Sequence, residues 1–361
     1  MLESLCAAGP LLFDPILKRI RWGGRRLGTV LGKNLGPHAD YAESWEIADM
    51  GPVQSTVATG PLRGQTLASL IASQPQFLLG SPPAVTSTAG GAPPSSQFPL
   101  LVKFLDASDR LSLQVHPDDA QAQRAGVGPR GKTEAWIVLE TEPNATLFAG
   151  LQPGVTRAQF ETAVRSGAVE PLLHRVAVRP GDCLFIPAGT VHALGEGVLL
   201  AEVQQSSDTT YRLFDWNRVD ASGQPRELHI EAGLDCVDFD RGPVQPVTPR
   251  AIPHPALSPS KAPSTAPASS PTAAGSCVCH ELVQSPQFQL RRIEGSGRLA
   301  FASTGEWSIW IVTHGEIRCL DVPPAELPPG RPGTTWFWPA DRRVVQLELA
   351  PGTCLIEATC G

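Results

Sequence analysis

The sequence lacks a basic stripe. Its 29 Lys and Arg residues are outnumbered by 35 Asp and Glu, for a formal net charge of -6, and no Lys/Arg block stands out. The electrostatic footprint of a nucleic-acid binder is therefore missing, although a small phosphate-bearing ligand needs only a local basic pocket. No apolar run approaches the ~18 residues that a membrane-spanning helix requires, so no membrane partner is expected. The run Leu11-Leu12-Phe13 is broken by Asp14 and Pro15, and Glu3 precedes any cationic region. No secretory signal is legible, which makes the cytoplasm the expected compartment. The eight cysteines are scattered, and Cys277-x-Cys279-His280 has no second cluster at zinc-finger spacing. Free thiols are the expectation.

What is present is enough chain, 361 residues with 42% hydrophobic content, for two domains that each bury a core. Two stretches, 81–97 and 246–276, are rich in Pro, Ser, Ala, Thr and Gly and nearly free of large apolar side chains. Such segments bury too little surface to offset their ordering entropy, so both are expected to be mobile. The first falls inside a domain, as an insertion. The second divides residues 1–245 from residues 277–361 as a linker.

Elsewhere short apolar runs alternate with Gly/Pro turns: 100–106, 110–116, 134–140, 183–188, 198–205, 307–313 and 343–350. Many short strands with punctuating turns point to a sandwich or barrel. Two helices are legible. One starts at Asp118-Asp119, carboxylates suited to a helix N-terminus. The other starts at Thr156, where Thr156 and Gln159 form a capping box and Phe160 with Val164 an apolar i, i+4 pair.

The most informative string is Gly181-Asp-Cys-Leu-Phe-Ile-Pro187-Ala-Gly189-Thr-Val-His192. A turn, an apolar strand and a Pro/Gly bend deliver His192 to the start of a second strand. The frame resembles the second cupin motif, G-x5-P-x-G-x2-H. Gln114-Val-His116 supplies two side chains at i and i+2, hence on one strand face. Lys132-Thr-Glu134 repeats that spacing after a Gly-rich turn. One amide oxygen, two imidazoles and one carboxylate suit a single divalent metal ion, Zn²⁺ first, with Mn²⁺, Fe²⁺ or Co²⁺ also compatible.

Read in order, further strings resemble the type I mannose-6-phosphate isomerases, especially their short bacterial branch. They are Trp22-Gly-Gly24, Glu43-Ser-Trp-Glu46, Pro99-Leu-Leu-Val-Lys-Phe-Leu105, and Leu111-Ser-Leu-Gln-Val-His-Pro-Asp-Asp119. Gly131-Lys-Thr-Glu-Ala-Trp136 and Glu202-x4-Ser207-Asp208-Thr-Thr-Tyr-Arg212-Leu-Phe-Asp-Trp216 complete the series. The likeness runs from about residue 10 to 245 and is loose beyond.

The resemblance implies a mostly β fold of two cupin-type jelly-roll barrels with a few short helices. It implies a catalytic, metal-binding barrel in 1–245 and a degenerate barrel without metal in 277–361. It makes Gln114, His116, Glu134 and His192 the metal ligands, Lys132 and Arg212 the cations at the substrate, and Ser112 a residue near the phosphate. Glu202 matches an acidic position and is a candidate for proton transfer. The implied substrate is a small sugar phosphate, and the implied reaction interconverts mannose 6-phosphate and fructose 6-phosphate through an enediol(ate). Two other readings keep the fold: a non-catalytic sugar-phosphate-binding bicupin, which would lack Lys132 or Arg212 or occlude the pocket, and an iron-dependent cupin oxygenase, whose sites are richer in histidine.

Overall fold

The computed structural model describes residues 9–80, 97–219, 223–259 and 275–361. The expected insertion, except for Gln97, and the middle of the expected linker lie outside these residues.

The N-terminal barrel is built from two antiparallel sheets. The six-stranded sheet runs in the order Cys183–Ile186, Glu134–Thr141, Val198–Gln205, Leu100–Ala107, Tyr41–Ile47, Ile16–Gly24. The five-stranded sheet runs Leu173–Ala177, Thr146–Leu151, His192–Ala193, Leu113–Val115, Tyr211–Phe214. Strand Leu100–Ala107 is buried along its whole length because both faces of its sheet are covered. Leu100, Val102 and Phe104 join the core shared with the C-terminal barrel, while Leu105 and Ala107 face the N-terminal barrel's own interior. A strand covered on both faces shows no polar alternation, which explains the continuous apolar runs in the sequence.

The C-terminal barrel is one nine-stranded sheet. Its two long strands, Phe288–Phe301 and Val345–Cys360, pair along their length with a register shift between Gly295 and Gly297. A bulge at a glycine bends a strand sharply, and here it lets one pair serve both walls. Trp310, Trp336, Trp338 and Phe301 fill the interior of this barrel.

Two features depart from the division expected at 246–276. Arg250–Ile252 pairs with Ser276–Gln284, and Leu257–Pro259 pairs with Phe288–Phe301. Part of the expected linker is thus ordered sheet. Proline tolerates an edge position, and Ala256, Ile252 and Leu257 pack onto the C-terminal core. From the other end of the chain, Leu11–Leu12 pairs with Thr335–Trp338. The contact between the barrels is itself a core, where Phe98 meets Trp307 at 4.9 Å and Phe337 at 5.5 Å between ring centroids.

Both expected helices form. Asp119–Ala125 is capped by Asp118 with Gln121 reciprocating, and Arg157–Ser166 by Thr156 with Gln159. Leu67–Ser73, Pro75–Leu79, Ile230–Cys236 and the single turn Arg26–Thr29 are additional. Among the described residues, no helix is long and apolar enough to cross a membrane.

Candidate metal centre and substrate cleft

Gln114 and His192 are direct cross-strand partners in the five-stranded sheet. Leu113 and Val115, the residues flanking Gln114, point the other way into the core beneath the helices Arg157–Ser166 and Ile230–Cys236. Glu134 begins a strand of the facing sheet. The metal-type side chains therefore come from both walls of one barrel, and they converge. His192 Nε2 lies 3.4 Å from Glu134 Oε1, and His116 Nε2 lies 3.7 Å from Glu134 Oε2. The Gln114 amide end stands 3.2 Å from His192 Nε2; a half-turn of the amide places its oxygen at the same point. One ligand atom from each of His116, Glu134 and His192 lies within 4.8 Å of the others, and all three residues are buried.

Local backbone geometry fixes this arrangement. Gly189 has φ +86°, and its N–H donates to the His116 carbonyl at 2.9 Å, which ties the turn before His192 to the strand of the other imidazole. A side chain there would meet Cys236 O and Asp238 Cβ at 3.1 Å. At Gly131, a Cβ would come within 2.4 Å of Pro117 O, so only glycine allows the close approach. The next residue, Lys132, then hydrogen-bonds its N–H to that same carbonyl.

The donor set fits a divalent cation. His116 Nδ1 meets the Thr209 carbonyl and His192 Nδ1 the Thr190 carbonyl, each at 2.9 Å. A backbone carbonyl can only accept, so both Nδ1 atoms carry the proton and both Nε2 lone pairs face the cluster. Glu134 Oε1 is buried with no hydrogen-bond partner. Burial, together with the Lys132 charge, holds His192 down at about 4 and His116 well below the usual histidine range. Both rings are accordingly neutral at physiological pH. Burial and nearby Glu202 push the Glu134 carboxyl up to about 7 against the pull of Lys132; a divalent ion beside it would offset that cost.

Beside this cluster opens a cleft of about 360 Å³. Lys132 Nζ contacts Glu134 Oε2 and lies 3.0 Å from His116 Nε2. Lys103 Nζ lies 3.1 Å from Glu202 Oε1 and 3.6 Å from Glu43 Oε2. The charges along the cleft floor thus alternate in sign, Glu43, Lys103, Glu202, Lys132, and the row ends on Glu134 of the cluster. Burial opposes the charge on Glu202, but Lys103 and Lys132, with the Trp136 N–H, outweigh it and hold the carboxyl below its ordinary value. Burial likewise opposes the charge on Lys103, and Glu202 and Glu43 more than compensate.

The remaining expected residues also reach the cleft. Ser112 lines it, and so does Arg212, which is paired in register with Gln114. Arg212 donates to the Glu227 carbonyl at 2.8 Å, and its Nε is buried without a hydrogen-bond partner. Sequence reasoning missed Lys103, Glu43 and Arg226, which line the same cleft. Lys103 left a signal, a lone cation inside the apolar run Leu100–Ala107. Glu43 sat in a quoted string without an assigned role, and Arg226 left no legible signal.

The family description "Phosphomannose isomerase type I, catalytic domain" matches residues 11–144. GmuF of Bacillus subtilis (strain 168), described as a "probable mannose-6-phosphate isomerase", is 33% identical over 312 residues, 86% of this chain and 88% of the relative. The mannose-6-phosphate isomerase ManA of the same organism is 38% identical over 229 residues, 63% of this chain and 68% of the relative. The crystal structure of a Bacillus subtilis mannose 6-phosphate isomerase superposes with a TM-score of 0.79 at 27% identity, covering 97% of this chain and 99% of that one.

Proposed function

The chain belongs to the type I phosphomannose isomerases, and on that footing we propose that Gln114, His116, Glu134 and His192 hold its catalytic metal. The enzyme interconverts mannose 6-phosphate and fructose 6-phosphate. One observation carries the metal assignment: the buried Glu134 carboxylate, with Oε1 unpartnered, faces two imidazole Nε2 lone pairs fixed by backbone carbonyls, Oε1 toward His192 and Oε2 toward His116. Mixed N/O donors of this kind suit zinc, the cofactor of the family.

When bound, zinc supplies Lewis-acid stabilisation of the negative charge that develops on the sugar oxygens. The protein's own groups do the rest. Lys132 and Lys103 set two fixed ammonium groups at the cleft floor, where that charge grows. Glu202 is ionised at neutral pH, so it can accept the proton leaving carbon 2 and return it to carbon 1. Arg212 offers a planar donor fork and Ser112 a hydroxyl to the phosphate.

The C-terminal barrel is proposed as a support without metal, its interior occupied by Trp310, Trp336 and Trp338. Every cysteine among the described residues is a free thiol, which suits a reducing compartment, and the cytoplasm is the proposed location.

A coupled assay of fructose 6-phosphate formation tests this function. Activity is expected to vanish with chelator and return with Zn²⁺. Protein that holds zinc yet shows no turnover would overturn the isomerase reading, and a fully active His192→Ala variant would overturn the metal assignment.

A further inference from the structure

We propose that Arg226 is a second phosphate-binding residue, set beside Arg212 at the end of the cleft and held in place by Asp215. The proposal rests on the isomerase reading and adds to it the group that recognises the substrate's phosphate end.

Arg226 lines the same cleft as Gln114, Ser112 and Arg212 although it lies more than a hundred residues beyond Gln114. Its side chain is oriented by Asp215. Arg226 Nε and Nη2 each donate to Asp215 at 2.7 Å, one to each carboxylate oxygen. This side-on pairing uses one edge of the guanidinium and sets the direction of its plane.

The carboxylate that holds Arg226 is shared. Asp215 also accepts from Arg218 at 2.6 Å, and Arg218 is shared with Asp109 at 3.0 Å. Asp215 is thus divided between Arg226 and Arg218, and it acts on Arg212 through its charge alone, as the Glu227 carboxylate does. Arg212 makes no ion pair with it; its polar contact is a backbone carbonyl, and its Nε is buried without a hydrogen-bond partner. Asp208, a further carboxylate lining the cleft, acts electrostatically on Lys103. Two adjacent arginines repel, and burial with Arg226 nearby weakens the hold of Arg212 on its proton. A phosphate bridging the two forks would relieve that repulsion and fill the donor that lacks a partner, which is the chemistry such a pair recognises best.

The test is steady-state kinetics of the zinc-loaded enzyme with Arg226→Gln and Arg226→Lys, together with calorimetric binding of inorganic phosphate as the probe. For Arg226→Gln, the KM for mannose 6-phosphate and the Kd for inorganic phosphate are each expected to rise about tenfold to a hundredfold, the loss typical of one charged hydrogen-bonded contact. The turnover number should fall far less than KM rises, and Arg226→Lys should recover part of both losses. Asp215→Asn, which loosens Arg226 without removing it, should give a smaller rise in KM. An Arg226→Gln enzyme whose KM and phosphate Kd stay within about twofold of wild type would overturn the proposal and leave the isomerase assignment standing. A fall in turnover with unchanged phosphate binding would also overturn it. Absence of turnover in the wild type would instead strike the isomerase reading, while the phosphate titration would still report on Arg226.

Discussion

Trp136 and Glu202 face each other across neighbouring strands, and the indole N–H donates to the carboxylate at 2.9 Å. The C-terminal barrel repeats the arrangement: Trp310 pairs in register with Glu357 and donates to it at 3.2 Å. The likeness extends one strand further. Glu202 is paired with Lys103, and Glu357 with Arg291. One barrel aims this Trp–Glu–cation row at an open cleft. In the other, His254 and Arg291 occupy the carboxylate at 3.1 and 2.9 Å.

The two tryptophans should therefore respond differently to the same change. Trp136→Phe keeps an aromatic ring, though a smaller one, and removes the donor that helps hold Glu202 ionised. The Glu202 carboxyl should then titrate higher, moving the acid limb of the kcat/KM pH profile upward by roughly half a unit to one unit. Trp310→Phe should leave that profile in place and cost on the order of 1–3 kcal/mol of stability, read by denaturant unfolding.

Lys103 sits between two acidic groups, 3.1 Å from Glu202 and 3.6 Å from Glu43. Lys103→Met would strand both in a buried site, a change that typically costs about 3–5 kcal/mol. Adding Glu202→Gln to Lys103→Met should restore part of this stability without restoring activity. A double-mutant cycle by urea unfolding measures the coupling.

Zinc should stabilise as well as activate, because a ligand that binds only the folded chain raises its stability by about 2.7 kcal/mol at a hundred times Kd. Calorimetry of chelated enzyme with and without added Zn²⁺ should show the melting temperature rising with metal concentration. Glu134→Gln should blunt that rise and reduce the zinc content found by elemental analysis.

The Glu357 carboxyl gives the C-terminal barrel an acid sensitivity of its own. Burial pushes it up, but the His254 hydrogen bond and charge, followed by Arg291, outweigh burial and hold it at about 2, against 4.5 for the ordinary group. A carboxyl depressed in the folded state contributes stability that is present in full above its unfolded value. That contribution, on the order of 3 kcal/mol, is lost as pH falls from about 4.5 to about 2. Glu357→Gln should flatten this part of the curve of unfolding free energy against pH, while the wild type declines.

Much of this architecture could be read from residues. The strands at 100–106, 134–140 and 198–205 show as apolar runs because their sheet is buried on both faces, and His192 shows because a Pro/Gly bend needs its own punctuation. What escaped has physical reasons. Leu67, Leu70 and Ile71 form a helical stripe, but a single short stripe in Ser- and Gln-rich sequence looks like loop. The strands at 250–252 and 257–259 are recruited by the exposed edges of partners that follow them in the chain, information that no local composition holds. Arg226 lines the cleft while paired with Asp215, and that pairing is a property of the folded chain.

The pairing of Leu11–Leu12 with Thr335–Trp338 bears on how the protein is made. Leu11 leaves the ribosome more than three hundred residues ahead of its partner Phe337. Contacts of such sequence separation form late and slow folding. Phe13, in the same segment, meets the Phe337 ring, and Phe98 packs on that ring too. The sheet that carries Glu134 and Glu202 therefore cannot cover its outer apolar face, which shares a core with Phe337, until the last tenth of the chain has emerged. During synthesis its apolar flank waits uncovered, a window in which a chaperone would find its target and a stalled chain would aggregate.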